Sequence, residues 1–310
     1  MLFSTSESNT FRHRKQDGKA SAPSTASSSA LFGHLYFMIY DAYFLTRYDF
    51  WVLKLTCSYI WRCSTRHILL PFFARHFSTN HLDIGVGTGY FPSTSLSLLQ
   101  AQSNDDAGAD QRIGLWDLSV PALGAARARI LASAPAAHVV VVKADATQPL
   151  SVAQQKELSS TSADAAQGTG LGRLETRFDS VSASLLLHCV PGQAYAKTRG
   201  LARNVACLLK PDGVFFGCTV VSSTHRVKSK PAGVLEIDSG VVLDGDSRVN
   251  QGRFVPWLLM WVYNVIGIFC NIGDNPDAIV GGLEESFETV ESWVVGTVLL
   301  FRARNPYKNE

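Results

Sequence analysis

Seven consecutive residues, Asp83-Ile84-Gly85-Val86-Gly87-Thr88-Gly89, set a carboxylate beside three closely spaced glycines. The apolar run HLDIGV leads into them and the helix-like GYFPSTSLSLLQ leads out. Glycines at a strand-to-helix turn let the backbone fold tightly and let a ligand come close. The helix start beyond them offers amide donors and a positive dipole end. A dinucleotide site wants GxGxxG in this setting. Gly85 and Gly87 fit that pattern, but its third position is Tyr90, so the match fails. What remains is an acid two residues before GxGxG. It suits a ligand carrying both a carboxylate, for the turn amides, and an ammonium group, for Asp83 directly or through water. The methionine portion of S-adenosylmethionine has both groups. The bland alternative, a glycine-rich hairpin turn, fits the strand–turn–helix setting poorly.

Three further positions have the right type and place. Asp117, in GLWDLS, closes the next apolar run. Ligands of open α/β sheets sit at the carboxyl ends of strands, and a carboxylate there can accept both hydroxyls of an adenosine ribose. A strand-end aspartate also often caps the following helix, although Ser119 is itself a good cap for PALGAARARI. Asp145, in VVKADA, ends a third run, near where an adenine amino group would fall; a plain turn aspartate is the rival reading. His188 follows the apolar part of FDSVSASLLLHCVPG, a segment opened by Asp179. At the mouth of a site it would serve as a general base or orient a substrate; a structural histidine is the competing account.

Elements must hold these groups together, and the rest of the chain supplies them. The 310 residues are 46% apolar and 17% charged, enough for a large core. The net charge is +2 and there is no long basic run, so a nucleic-acid partner is not expected. Arg12, His13, Arg14 and Lys15 form a local basic patch inside a Ser-rich tail. Cys57, Cys63, Cys189, Cys207, Cys218 and Cys270 are scattered, without paired CxxC spacing. No metal site is expected, and reduced thiols are the default. Residues 1–30 lack the apolar core of a signal peptide.

From 31 to about 77 the chain is rich in aromatics at helical spacing, read as two helices. A β/α alternation follows. RIGLWDL, HVVVVKAD, FDSVSASLLL and VFFGCTVV read as strands after HLDIGV. PALGAARARILASA reads as a helix, as does AYAKTRGLARNVACLLK, ended by a turn at Pro211-Asp212-Gly213. This predicts an α/β fold: a mostly parallel, Rossmann-like sheet with helices on both faces. Two polar stretches, near 101–111 and 154–176, read as surface loop insertions. FVPWLLMWVYNVIGIFC is apolar but short for a membrane span and carries Pro256 and Asn264. It reads as a buried lid helix, with peripheral membrane contact through 254–270 as the alternative. LEESFETV reads as a last helix, and WVVGTVLLFRAR as one final strand entering the sheet antiparallel.

These residues resemble the class I, seven-stranded S-adenosylmethionine-dependent methyltransferases, and more closely a group of small fungal enzymes often tied to polyketide and other secondary pathways. The resemblance runs from about Arg47 to Arg304. RYDFWVLKLTCSYIWRC looks like that group's N-terminal helix, DIGVGTGYF like its glycine motif, and the stretch from Tyr263 to Arg304 like its C-terminal section. Ser119-Val120 stands where Asn-Pro is usual, and Ser184 where Asn is common. The resemblance implies S-adenosylmethionine binding by Asp83, Gly85, Gly87, Gly89, Asp117 and Asp145. It implies that Tyr48, Asp49 and Trp61 cover the cofactor or substrate. The expected plan is a disordered tail over 1–30, a helical cover over 31–78 and a catalytic domain over 79–306. The expected activity is methylation of a small molecule, in the cytoplasm. The acceptor atom (oxygen, nitrogen or carbon) stays open, as does the oligomeric state. The rivals are a methyltransferase-like binding protein, non-catalytic or membrane-associated, and a nucleotide-dependent oxidoreductase, which Tyr90 disfavours.

Overall fold

The computed structural model describes residues 47, 49–102, 111–159, 177–222, 235–237, 242–243 and 254–307. The tail over 1–30, Tyr48 and most of both insertions, 103–110 and 160–176, lie outside them.

Five parallel strands form the first part of the sheet: β1 (Asn80–Ile84), β2 (Arg112–Asp117), β3 (His138–Lys143), β4 (Phe178–Ser184) and β5 (Leu209–Val220). A short ribbon, β6 (Leu235–Glu236) with β7 (Val242–Leu243), stands apart. β8 (Phe287–Val295) and β9 (Val298–Pro306) complete a seven-stranded sheet of order β3-β2-β1-β4-β5-β9-β8, with β9 antiparallel to both neighbours. Every residue of β2 is buried, as expected for a strand covered on both faces. Side chains alternate between those faces. On β5, Phe216 enters the core shared with Trp61, Phe72, Phe73 and Trp293, while its neighbour Phe215 enters the one shared with Leu201, Phe287 and Phe301.

The helices are α1 (Asp49–Ile60), α2 (Leu70–His76), α3 (Tyr90–Gln102), α4 (Val120–Ser133), α5 (Val152–Leu158), α6 (Ala194–Leu208), α7 (Phe254–Val265) and α8 (Pro276–Glu284). α1 is wound with i→i−5 bonds, a form that recurs at functional sites, and a second such turn, Thr65–Leu69, leads into α2. Ser119 caps α4 as expected, accepting the Ala122 N–H at 3.3 Å. No described helix is long and apolar enough to cross a membrane.

Four readings of the sequence are corrected. The C-terminal stretch is a hairpin rather than a helix and one strand, because Gly296 takes a left-handed φ of +61° and turns the chain between β8 and β9. Pro211-Asp212-Gly213 does not end α6; β5 begins at Leu209 and carries the three residues through an irregularity in its pairing with β4. β4 stops at Ser184, since Leu185 has a φ of +57°. The second insertion starts inside α5, which is fixed by a Ser151–Gln154 capping box and buries Leu158.

Candidate active site

The carboxyl ends of β1, β2 and β4 lie level, with Asp83 opposite Leu115 on one side and Ser182 on the other. The glycine turn leaves β1 here. Gly89 has a φ of +70°, and a Cβ on it would fall 2.8 Å from the Ala126 Cα, so the turn packs on α4 only as glycine. Gly87 has a φ of +51° and open space where a Cβ would point. The Gly85 N–H donates to Trp116 O at 2.8 Å, tying the turn to β2. From the cover, Asp49 accepts the Thr88 hydroxyl at 2.6 Å and the Arg129 guanidinium at 2.5 Å. Asp49 thus fastens α1 to the glycine turn and to α4.

Two buried carboxylates face this turn. Burial pushes Asp83 up to about 7; the Ser182 hydroxyl, 2.5 Å away, opposes that and the Asp117 charge adds to it. Asp117 is raised in the same direction by burial, against the backbone amides of Ser119, Gly87, Val86 and Leu118 that favour its charge. Among the described residues neither acid forms an ion pair with a basic side chain. A buried carboxylate without a cation is unstable as an anion, so the pair is suited to a ligand bringing positive charge and hydroxyl donors.

Asp83, Leu53, Thr88 and Tyr90 line a narrow recess. It shares Gly85, Asp117 and Leu186 with a cavity of about 600 Å³. Trp116, Leu118, Ala144, Ala146 and Leu186 form one wall of that cavity; Cys189, Val190, Asn264, Phe269 and Cys270 contribute another. The size and apolar lining suit a small organic ligand. Asp145 stands at this cavity, exposed, but its Oδ1 accepts the Thr147 N–H at 2.9 Å and hydroxyl at 2.8 Å, as a turn aspartate does.

Other expected residues sit one layer back. His188 is buried outside the cavity lining: Val220 N–H donates to its Nδ1 at 3.4 Å, and its ring meets Phe269 edge-on at 4.4 Å. Burial, and secondarily the Lys197 charge, pull its pKa down to about 3. The turn Leu187–Cys189 carries its side chain into the core, outside the cavity lining. Trp61 is also buried, with its ring 5.9 Å from Phe269, so it supports the cavity wall from behind.

Several functional candidates escaped the sequence reading. Lys197 and Asp274 form a wholly buried 2.7 Å ion pair. Lys197 also donates to Val190 O and Cys270 O, both at 3.0 Å, and so pins two segments of the cavity wall. Its place on the apolar face of α6 was the available signal. Thr88 and Arg129 join the glycine turn to the cover, and Ser182 with His81 lies behind Asp83. Among the described residues no group of His, Cys, Asp and Glu is arranged to hold a metal.

Comparisons with known proteins give the family and the fold. No family model matches the sequence. The chain is 36% identical over 275 residues to the O-methyltransferase NEC2 of Pyricularia oryzae, covering 87% of this chain and 92% of that protein. It is 33% identical over 268 residues to the physcion biosynthesis cluster O-methyltransferase of Aspergillus chevalieri, covering 86% and 94%. Its fold is similar to the solved structure of an O-methyltransferase family protein from Burkholderia thailandensis, with a TM-score of 0.51 at 14% identity, over 91% of this chain and 64% of that one.

Proposed function

The chain belongs to the methyltransferase family of these fungal relatives, and we propose that it moves the methyl group of S-adenosylmethionine to a small, largely apolar acceptor, a polyketide or other secondary metabolite. The observation that carries the cofactor reading is the pair of buried, cation-free carboxylates, Asp83 and Asp117, flanking the glycine turn. The cofactor, when bound, supplies an electrophilic methyl on a sulfonium.

The chain's own residues do the rest. Asp83 receives the ammonium end in the recess. Asp117, at the end of β2, would accept the ribose hydroxyls. Leu118, Ala146 and Leu186 offer apolar faces to the adenine, and Asp145 borders it. The wall of Val190, Phe269 and Cys270 excludes water and aligns the acceptor, which for this chemistry supplies much of the acceleration. Phe269 is held for that task by Trp61 and His188. Asp49 keeps the cover closed on the turn. The biosynthetic cluster in the Aspergillus relative's name supports a secondary-metabolite acceptor, and the cysteine pattern favours a cytosolic setting.

Calorimetric titration with S-adenosylhomocysteine, with NADH as control, tests the reading. Saturable binding of the first and none of the second is expected; folded protein that binds neither, or only NADH, would overturn it. A second reading, peripheral membrane contact through 254–270, is favoured by Trp257 and Trp261, 55% and 53% exposed one helical turn apart. Flotation with anionic vesicles decides it: the chain should float, and Trp257→Glu with Trp261→Glu should leave it in the soluble fraction.

A further inference from the structure

Behind Asp83 runs a buried file of polar side chains. His81 and Asp83 lie on one face of β1, and their partners across the ladder on β4 are Ser180 and Ser182. Ser182 Oγ donates to Asp83 Oδ1 at 2.5 Å. His81 Nε2 meets Ser182 Oγ at 2.9 Å, and His81 Nδ1 meets Ser180 Oγ at 2.7 Å. Ser180 Oγ in turn accepts the Ser78 N–H at 3.0 Å.

The carboxylate sets the sense of the whole file. Because Ser182 gives its only proton to Asp83, its lone pair must accept from His81 Nε2–H. Nδ1 is then unprotonated and accepts the Ser180 hydroxyl. His81, Ser180 and Ser182 are all fully buried, and the imidazole is boxed by Phe73, Phe77 and Phe216 with ring centroids 5.5, 4.6 and 5.9 Å away. Apolar residues would fill these positions on two central strands more cheaply than a chain of polar groups. Satisfied and ending on a carboxylate that lines a recess, the file has one outlet.

We propose that His81 is a positioning residue of the cofactor site: through Ser182 it holds the Asp83 carboxylate in the orientation that receives the cofactor's ammonium group. The inference rests on the cofactor reading given above. Burial takes His81 down to about 3, so the ring stays neutral at any working pH, and it holds this tautomer while Asp83 is ionised. It can therefore orient Asp83 without competing with the ammonium as a second cation. The other groups bearing on Asp83 are Asp117 from β2 and the buried Cys218 thiol from β5.

The test compares two ligands. S-adenosylhomocysteine carries the amino-acid end; 5′-methylthioadenosine lacks it and probes the nucleoside end alone. Calorimetry on His81→Leu and Ser182→Ala should show S-adenosylhomocysteine bound about tenfold more weakly, the size expected when a hydrogen bond to a charged group is lost. The affinity for 5′-methylthioadenosine should be unchanged. His81→Gln, which can still donate to Ser182, should recover most of the lost affinity and stands in if the leucine variant fails to fold. Wild-type affinity for S-adenosylhomocysteine in both Ser182→Ala and a folded His81 variant would overturn the proposal. So would an equal loss of both ligands, which marks a merely structural role. If the wild-type protein binds neither ligand, the cofactor reading itself has failed.

Discussion

Asp83 is tuned for a partner it must recruit. Its pKa of about 7 in the folded protein compares with 3.8 for an unhindered aspartate. The folded state therefore binds the proton more tightly than the unfolded chain. That contribution to stability is complete below pH 3.8 and is lost as pH rises through about 7. Asp83→Asn, which cannot ionise, should leave the ligand-free protein more stable than wild type at pH 8 and not at pH 4. The gap should approach roughly 4 kcal/mol, since each tenfold change in an ionisation constant is worth about 1.4 kcal/mol. The same variant should lose S-adenosylhomocysteine binding. Denaturant unfolding across that pH range checks the sign, and a gap that shrinks on raising the pH would contradict it. His188 is the opposite case: with a pKa near 3 and a ring held against Phe269, it is no proton acceptor for neutral-pH chemistry. His188→Gln should cost far less than the roughly hundredfold that removal of a general base costs, and should leave the shape of the pH–rate profile unchanged. At this scale the sequence was legible in where the acids stand rather than in what they do. Asp83 and Asp117 end adjacent strands beside an unmistakable turn. Asp145 and His188 were harder, because a strand-end acid can bond its own turn and a histidine after an apolar run can face either way. His81 carried no signal, since one histidine inside a strand reads as core.

Between elements, the buried Lys197–Asp274 pair joins α6 to the loop after α7. Asp274 is raised by burial and drawn back by Lys197. Nothing in the local sequence pairs two residues so far apart, and periodicity places Lys197 on an apolar face without naming its partner. Lys197→Met should destabilise the fold by about 3–5 kcal/mol, because it strands a buried charge. Adding Asp274→Leu should restore most of that loss, since removing both charges leaves neither unpaired. Chemical unfolding of both variants measures this, and a double variant as weak as the single one would show that the ion pair itself supplies the stability. Part of the parallel sheet was readable for a simple reason: β2 and β3 are short, largely apolar runs, and β2 stands directly ahead of a helical period. The C-terminal hairpin was not. Its first strand begins Phe287-Glu288-Thr289-Val290, which suits the end of a helix as well as a half-buried strand, and only the left-handed Gly296 reveals the turn.

Across the whole molecule, the N-terminal cover and the C-terminal hairpin meet through Phe72 with Trp293, through His76 with Arg302, and at the hairpin tip. Thr297 N–H donates to Trp61 O at 3.0 Å at the tip of the hairpin. A Cβ on Gly296 would lie 2.1 Å from that same oxygen, and its φ is +61°. Trp61 in turn backs Phe269 and hence the cavity wall. One small residue near the end of the chain therefore sets how closely the cover can approach the sheet. Gly296→Ala combines left-handed strain of about 1–2 kcal/mol with a clash against a backbone oxygen that cannot rotate aside, so a total loss of a few kcal/mol is expected. The damage should be local as well as global. Hydrogen exchange should rise over 49–63 and at the hairpin tip, while β1 and β4, at the centre of the sheet, keep their protection. Because the Asp83 recess includes Leu53 of α1, S-adenosylhomocysteine should dissociate faster from this variant although every residue that touches it is intact. Unchanged exchange over 49–63 would mean that the Asp49–Thr88–Arg129 cluster and the core packing of the cover hold it without the hairpin tip, and that the two ends of the chain do not cooperate in closing the site.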